Sequence, residues 1–196
     1  HECHEHRHVG DEAHHAGRKG SKPNATPNEL LRLLHEMRTE ESWKALLLAS
    51  ATPMQMHPHE AWDLVEMLGL PGRWASSAAA FIRYFDEIRH DFDKRQWTFV
   101  SSMAKDHFSD PAARPDPVLA RQVKDLGKVK ARRISSVSMD GLTPAQAKSF
   151  NPDLWPIVDL WLLTNNPMRD RVFRNTRTTM RAYRDAGLLP PEATIP

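Results

Sequence analysis

Covalent cross-links are absent from this chain's design. Its 196 residues include one cysteine, Cys3, so no intrachain disulfide framework exists and a reducing, cytoplasmic setting is expected. No apolar run reaches the roughly eighteen residues of a membrane-spanning helix, so no transmembrane segment and no membrane partner are expected. The first residues are polar and His-rich, unlike a secretory signal. Charge of one sign is lacking too: 27 Lys and Arg face 25 Asp and Glu, a net +2. Bulk charge therefore argues for no polyanionic partner, and only local clusters could. The pattern G-x-x-x-x-G-K-[ST] occurs nowhere. The loop from Gly17 to Pro23 is rich in Gly, Lys, Ser and Pro, yet it is not a phosphate loop. Without that backbone cradle and its lysine, the β- and γ-phosphates of a nucleotide have no primary seat. The chain alone should bind ATP poorly and hydrolyse it negligibly.

What is present suffices for a domain. A hydrophobic fraction of 40% can build one core over this length. Two short words stand out, about forty residues apart. The first is Asp11-Glu12-Ala13-His14. The second is Ser50-Ala51-Thr52-Pro53-Met54-Gln55, which follows the apolar run Leu46-Leu47-Leu48-Ala49. That run, bounded by a polar turn and a proline, reads as a buried parallel strand over Lys44–Ala49. Ligand sites in such sheets fall at the carboxyl ends of the strands, where Ser50 and Thr52 lie. Between the words, Thr26-Pro27-Asn28-Glu29 reads as a capping box with Pro at the first helical position. Leu30, Leu33, Leu34 and Met37 then follow at helical spacing.

Acidic word, helix, strand and Ser-Ala-Thr-Pro, in that order, resemble motifs II and III of a superfamily 2 helicase. Together with Glu60-Ala61-Trp62-Asp63-Leu64-Val65-Glu66-Met67-Leu68-Gly69 and Val172-Phe173-Arg174-Asn175-Thr176-Arg177, they resemble the bacterial Swi/Snf-type DNA translocases. A third match is Tyr183-Arg184-Asp185-Ala186-Gly187-Leu188-Leu189-Pro190, like the end of that family's first lobe. The resemblance spans roughly residues 10–190 and is weakest through 76–150. It implies ATP and Mg²⁺ as cofactors and double-stranded DNA as partner of a complete parent protein. Asp11 would hold Mg²⁺ through water, Glu12 would orient or deprotonate the attacking water, and His14 would link the site to motif III. Ser50, Ala51, Thr52, Pro53 and Gln55 would couple nucleotide state to DNA grip.

The implied fold is α/β but mostly helical: a partial RecA-like P-loop NTPase lobe with few parallel strands and a helical insertion. Residues 1–10 form an atypical His-rich leader, 11–75 the partial lobe, 76–150 the insertion, and 151–196 the end of lobe one with an Arg-rich helix. In the family an apolar strand precedes the acidic pair. Here only Val9 fits, and a doubly buried strand made of histidines and glutamates would carry a heavy desolvation cost. The strand into Asp11 is therefore expected to be missing, with a truncated or frame-shifted start as the reason. Few strands are then expected, Lys44–Ala49 the clearest of them, with an exposed edge that risks association. The missing ATPase half and the second lobe are implied partners.

The remaining chain reads as helices and loops. Pro58 opens a helix whose apolar face is Ala61, Trp62, Leu64, Val65 and Leu68, ended by Gly69 and Pro71. Trp62 reads as core. Phe81, Phe85, Ile88 and Phe92 mark one or two helices over 76–104. Pro111, Pro115 and Pro117 mark a loop. Residues 118–133 form a basic helical segment with Arg121, Lys124, Lys128, Lys130, Arg132 and Arg133, offset only by Asp125; it reads as a solvated face or a phosphate-neutralising one. Thr143-Pro144-Ala145-Gln146 is a second capping box. Leu154, Ile157, Val158, Leu160, Trp161, Leu162 and Leu163 read as core. Arg174, Arg177, Arg181 and Arg184 recur at helical intervals as a basic stripe toward nucleic acid or solvent.

Two other functions compete with a piece of a DNA-dependent ATPase. One is a helical nucleic-acid-binding or interaction module without ATPase activity. The other is a metal-binding leader built from His1, Cys3, His4, His6, His8, His14 and His15, whose spacing matches no familiar closed zinc site.

Overall fold

The structure, a computed structural model, describes residues 7–10, 16–17, 25–49, 58–172, 181 and 184–187. Among them, helices dominate and one small sheet is present. Strand β1 (Arg7–Gly10) pairs in parallel with β2 (Ala45–Leu48). Arg7 lies opposite Ala45, His8 opposite Leu46, Val9 opposite Leu47 and Gly10 opposite Leu48. This corrects one expectation: a strand does lead into Asp11, and it is the partner of the strand expected over Lys44–Ala49. The ladder is made by main-chain N–H and C=O groups, which Arg and His carry as well as Val does. The expectation of a buried strand is also corrected. β2 alternates exposed and half-buried residues, and Leu47 is 59% exposed.

Helix α1 (Glu29–Thr39) connects the strands. Its N-cap is Asn28, whose side-chain oxygen accepts from the Leu31 N–H at 2.9 Å. Thr26 is therefore not the cap, and the helix begins two residues later than the box predicts. Leu31 is fully buried, whereas Leu30 and Leu33 of the expected stripe are exposed and Leu34 and Met37 are half-buried. Arg38 donates to the Glu66 carbonyl at 2.8 Å, which ties α1 to the end of α2 (Pro58–Met67). Trp62 and Val65 are buried in α2 as expected. Gly69 follows with φ +76°, a left-handed conformation that suits glycine after a helix.

A 3-10 turn (Gly72–Ala75) then delivers Trp74 to the centre of the molecule. Trp74 is fully buried, donates to the Met103 carbonyl at 2.7 Å, and meets Tyr84 edge-on at 4.5 Å. Helices α3 (Ala78–Arg89) and α4 (Trp97–Phe108) pack around it. Burying aromatic side chains of this size contributes roughly 1.5–3 kcal/mol each. The Tyr84 hydroxyl donates to the Leu162 carbonyl at 3.1 Å, 78 residues along the chain. Burial pushes the Tyr84 phenol well above its ordinary range, although Arg95 opposes this.

The basic segment is helical, as expected, and is built as two helices. α5 (Pro117–Asp125) and α6 (Lys128–Asp140) break at Gly127, φ +92°. Asp116 caps α5 by accepting from the Leu119 N–H at 2.7 Å. Leu119, Val123, Ile134 and Val137 hold the pair to the core. α7 (Pro144–Ser149) carries the predicted capping box, with Thr143 and Gln146 satisfying each other's backbone. In α8 (Trp155–Thr164), Leu154, just before its start, is buried with Val158 and Leu162, but Leu160 and Leu163 are about half exposed. The expectation that this whole run is core is corrected. A helix on the rim of a core buries one stripe only, and these two leucines lie off it. One buried cluster runs from Trp62 to Leu162. No described helix is long and apolar enough to cross a membrane.

Candidate functional site

The strand pair sets the frame of the sequence-predicted site. In adjacent parallel strands the carboxyl ends emerge on the same edge. Gly10 and Leu48 are register partners at that edge. Asp11 follows Gly10 directly, and Ser50 follows Leu48 by two residues. The candidate residues Asp11, Glu12 and His14 lie outside the described residues, as do Ser50, Ala51, Thr52, Pro53 and Gln55. So do Arg174 and Arg177. Arg181 is described, helical and exposed. Two contacts tie described segments near these words to α1. The Asn28 N–H donates to the Gly17 carbonyl at 2.8 Å, and the Arg38–Glu66 contact closes α1 onto α2.

Sequence reasoning missed a second polar centre, at the corner between α4 and α5. Arg171 donates to the Gly69 carbonyl at 2.5 Å, to the Pro167 carbonyl at 3.3 Å and to the Asp110 carboxylate at 2.8 Å. Both charged side chains are largely buried. Burial alone would raise the Asp110 carboxyl, but the Ala112 N–H and the Arg171 guanidinium outweigh it and hold it below the usual carboxylate range. Nearby, the Asp170 carboxylate accepts from the Arg114 N–H at 3.0 Å, and Arg169 pairs with Asp116 at 2.6 Å. The Leu119 N–H is the main cause that holds Asp116 low, with Arg169 adding to it. Asn165 accepts from the Asp116 N–H at 2.7 Å. No spacing in the sequence announces this centre. Its members come from three separate segments: Gly69, Asp110 to Leu119, and Asn165 to Arg171.

His107 sits against this corner, fully buried, with neither ring nitrogen hydrogen-bonded. Burial pushes its pKa down, while Asp170 and Asp110 pull it back up. A shallow groove of about 240 Å³ opens beside it, lined by Pro71, Gly72, Asp106, Ser109, Asp110 and Pro111. Its two carboxylates are already engaged. Asp106 accepts from the Arg73 N–H at 2.8 Å and pairs with its guanidinium at 3.2 Å, and Asp110 is held by Arg171. The corner therefore acts as a structural clasp rather than a place for a ligand. Among the described residues no group of His, Cys, Asp and Glu converges as a metal site.

The basic segment forms a third feature. Arg121, Lys124, Lys128, Lys130, Arg132 and Arg133 are all exposed. Arg133 also lies over the Phe150 ring at 5.5 Å. No family model matches the chain, and neither a curated protein nor a solved structure does.

Proposed function

We propose that this chain is part of the first ATPase lobe of a Swi/Snf-like DNA helicase or translocase, and that it supplies the acidic motif and the coupling motif of the nucleotide site. The observation that carries the reading is the parallel, in-register pairing of β1 with β2. It supports a common edge for Asp11 and Ser50, as phosphate chemistry at the ends of parallel strands requires. A carboxylate followed directly by a second suits Mg²⁺, a hard ion that takes oxygen ligands and keeps much of its water. Asp11 is the residue that would hold it, and the ion would supply charge neutralisation on the phosphates. Glu12 would position the attacking water. The chain lacks a phosphate loop, so hydrolysis belongs to a longer polypeptide that carries one.

The test is to translate the coding DNA upstream of His1, express the longer frame and measure DNA-stimulated ATP hydrolysis. The expected result is a phosphate loop upstream and hydrolysis that falls at least a hundredfold with Glu12→Gln, while ATP binding persists. Hydrolysis indifferent to Glu12, or a frame without a phosphate loop, sinks the reading. A helical nucleic-acid-binding module without ATPase activity would then take its place, favoured by the exposed cations of α5 and α6.

A further inference from the structure

We propose that the outer face of α5 and α6 is a seat for the phosphate backbone of double-stranded nucleic acid, gripped without regard to base sequence. The inference stands on this face alone and requires neither Asp11 nor Ser50.

Charge segregation is the first argument. The chain as a whole is nearly neutral, yet residues 118–133 hold six cations against the single carboxylate of Asp125. Elsewhere several cations are paired, although among the described residues Lys44, Lys105 and Lys148 are not among them. Arg32 meets Glu29, Arg89 meets Asp86, Lys94 meets Asp91, and Arg171 meets Asp110. Among the described residues, none of the six on this face forms an ion pair. Like charges carried on two short helices packed together repel one another, and a polyanion relieves that repulsion by neutralising them together.

Position is the second argument. Lys128 and Lys130 stand on the first turn of α6, which carries no acidic residue. A helix disfavours cations at that end, because its unsatisfied N–H groups already make it positive. The fold does not need them there. Leu119, Val123, Ile134 and Val137 anchor both helices from the other side. An arrangement that costs stability and serves no packing is the mark of a binding surface.

The chemistry of the face selects the partner. Residues 118–133 contain no aromatic side chain, so unpaired bases have nothing to stack on. A duplex asks only for cations along its phosphates. Val118 and Val129 are the large apolar side chains exposed here. They stand singly and do not form the apolar stripe by which a basic helix enters an anionic membrane surface. An acidic protein partner would require an apolar or aromatic centre to the interface, which two valines do not provide.

The experiment is fluorescence anisotropy of a labelled duplex of about thirty base pairs, with the full chain and no nucleotide. Binding is expected to weaken roughly a hundredfold or more between about 50 and 200 mM salt. Combined Lys128→Gln, Lys130→Gln and Arg132→Gln should weaken binding at least tenfold at low salt and reduce the log–log salt slope by about 3. Equal charge removed as Arg32→Gln, Arg89→Gln and Lys94→Gln should change binding less than about threefold, because those cations already have carboxylate partners. The charge-conserving Arg132→Lys should retain binding, which separates electrostatics from loss of structure. Equal damage from both triple variants overturns the proposal. So does binding that ignores salt, or tighter binding to anionic vesicles or polyglutamate than to the duplex. Duplex binding that appears only with ATP, or that vanishes with Glu12→Gln, moves the contact to the nucleotide site and overturns it as well.

Discussion

His107 shows what one side chain can reveal. It is fully buried, and both of its nitrogens lack hydrogen bonds. Such a ring is tolerable only when neutral, because a buried imidazolium would need partners. Burial lowers its folded pKa below the ordinary 6.5, and Asp170 and Asp110 only partly offset this. The unfolded chain therefore takes up this proton more readily than the folded one. The stability that neutral His107 allows is complete above pH 6.5 and is lost as pH falls through the folded pKa. Thermal unfolding followed by circular dichroism should show a midpoint that declines between about pH 7.5 and 5. His107→Leu should flatten that decline without lowering the midpoint at the upper pH. Asp110 and Asp116 also sit below their ordinary value, so their contributions fade only at more acid pH and leave this window to His107. Nothing in Ala104-Lys105-Asp106-His107-Phe108 marks this histidine as different from the others. Its burial follows from α4 lying across the centre of the molecule, which is a tertiary fact.

At the scale of the element, the sequence was legible where side chains act locally. The capping box at Thr143, the start at Pro58 and the stop at Gly69 all depend on contacts within a few residues. They fall where spacing places them. Asn28 and Thr26 mark the limit. Both are good caps two residues apart, and local spacing alone does not choose between them. In the fold it is Asn28 whose side chain accepts from the Leu31 N–H. Asn28→Ala should cost about 1 kcal/mol, whereas Thr26→Ala should change stability by less than about 0.5 kcal/mol. Urea unfolding of the two variants checks this, and the opposite order would restore the cap to Thr26. β1 was illegible for another reason. Histidines and glutamates argue against a buried strand, but the pairing with β2 is a main-chain interaction. The candidate site residues themselves, Asp11, Glu12, His14 and Ser50 through Gln55, rest on the sequence words and on the edge to which the two strands lead. The corner around Arg171 had no signal in the sequence, because its partners are brought together only by the packing of α4, α5 and the segment after α8.

Across the whole molecule, a few contacts join distant parts of the chain. Arg171 reaches Gly69, 102 residues away, and Asp110, 61 residues away. Removing one member of a buried ion pair leaves the other charge without compensation. Arg171→Leu should therefore destabilise the fold by roughly 3–5 kcal/mol, read as a lower urea midpoint. The double variant Arg171→Leu with Asp110→Leu should recover part of that loss, since no lone charge remains. The hydrogen bond from Tyr84 to the Leu162 carbonyl has a consequence in time as well as in space. Its two ends are made 78 residues apart. At about 5–20 residues per second, a ribosome needs roughly 4–16 seconds to get from one to the other. Through that interval the nascent chain has already made the aromatic ring of Trp74, Phe81, Tyr84 and Phe85, but not the helix that seals it. The order of synthesis thus leaves these aromatic side chains waiting for their lid, and it is in those seconds that a chaperone would find something to hold.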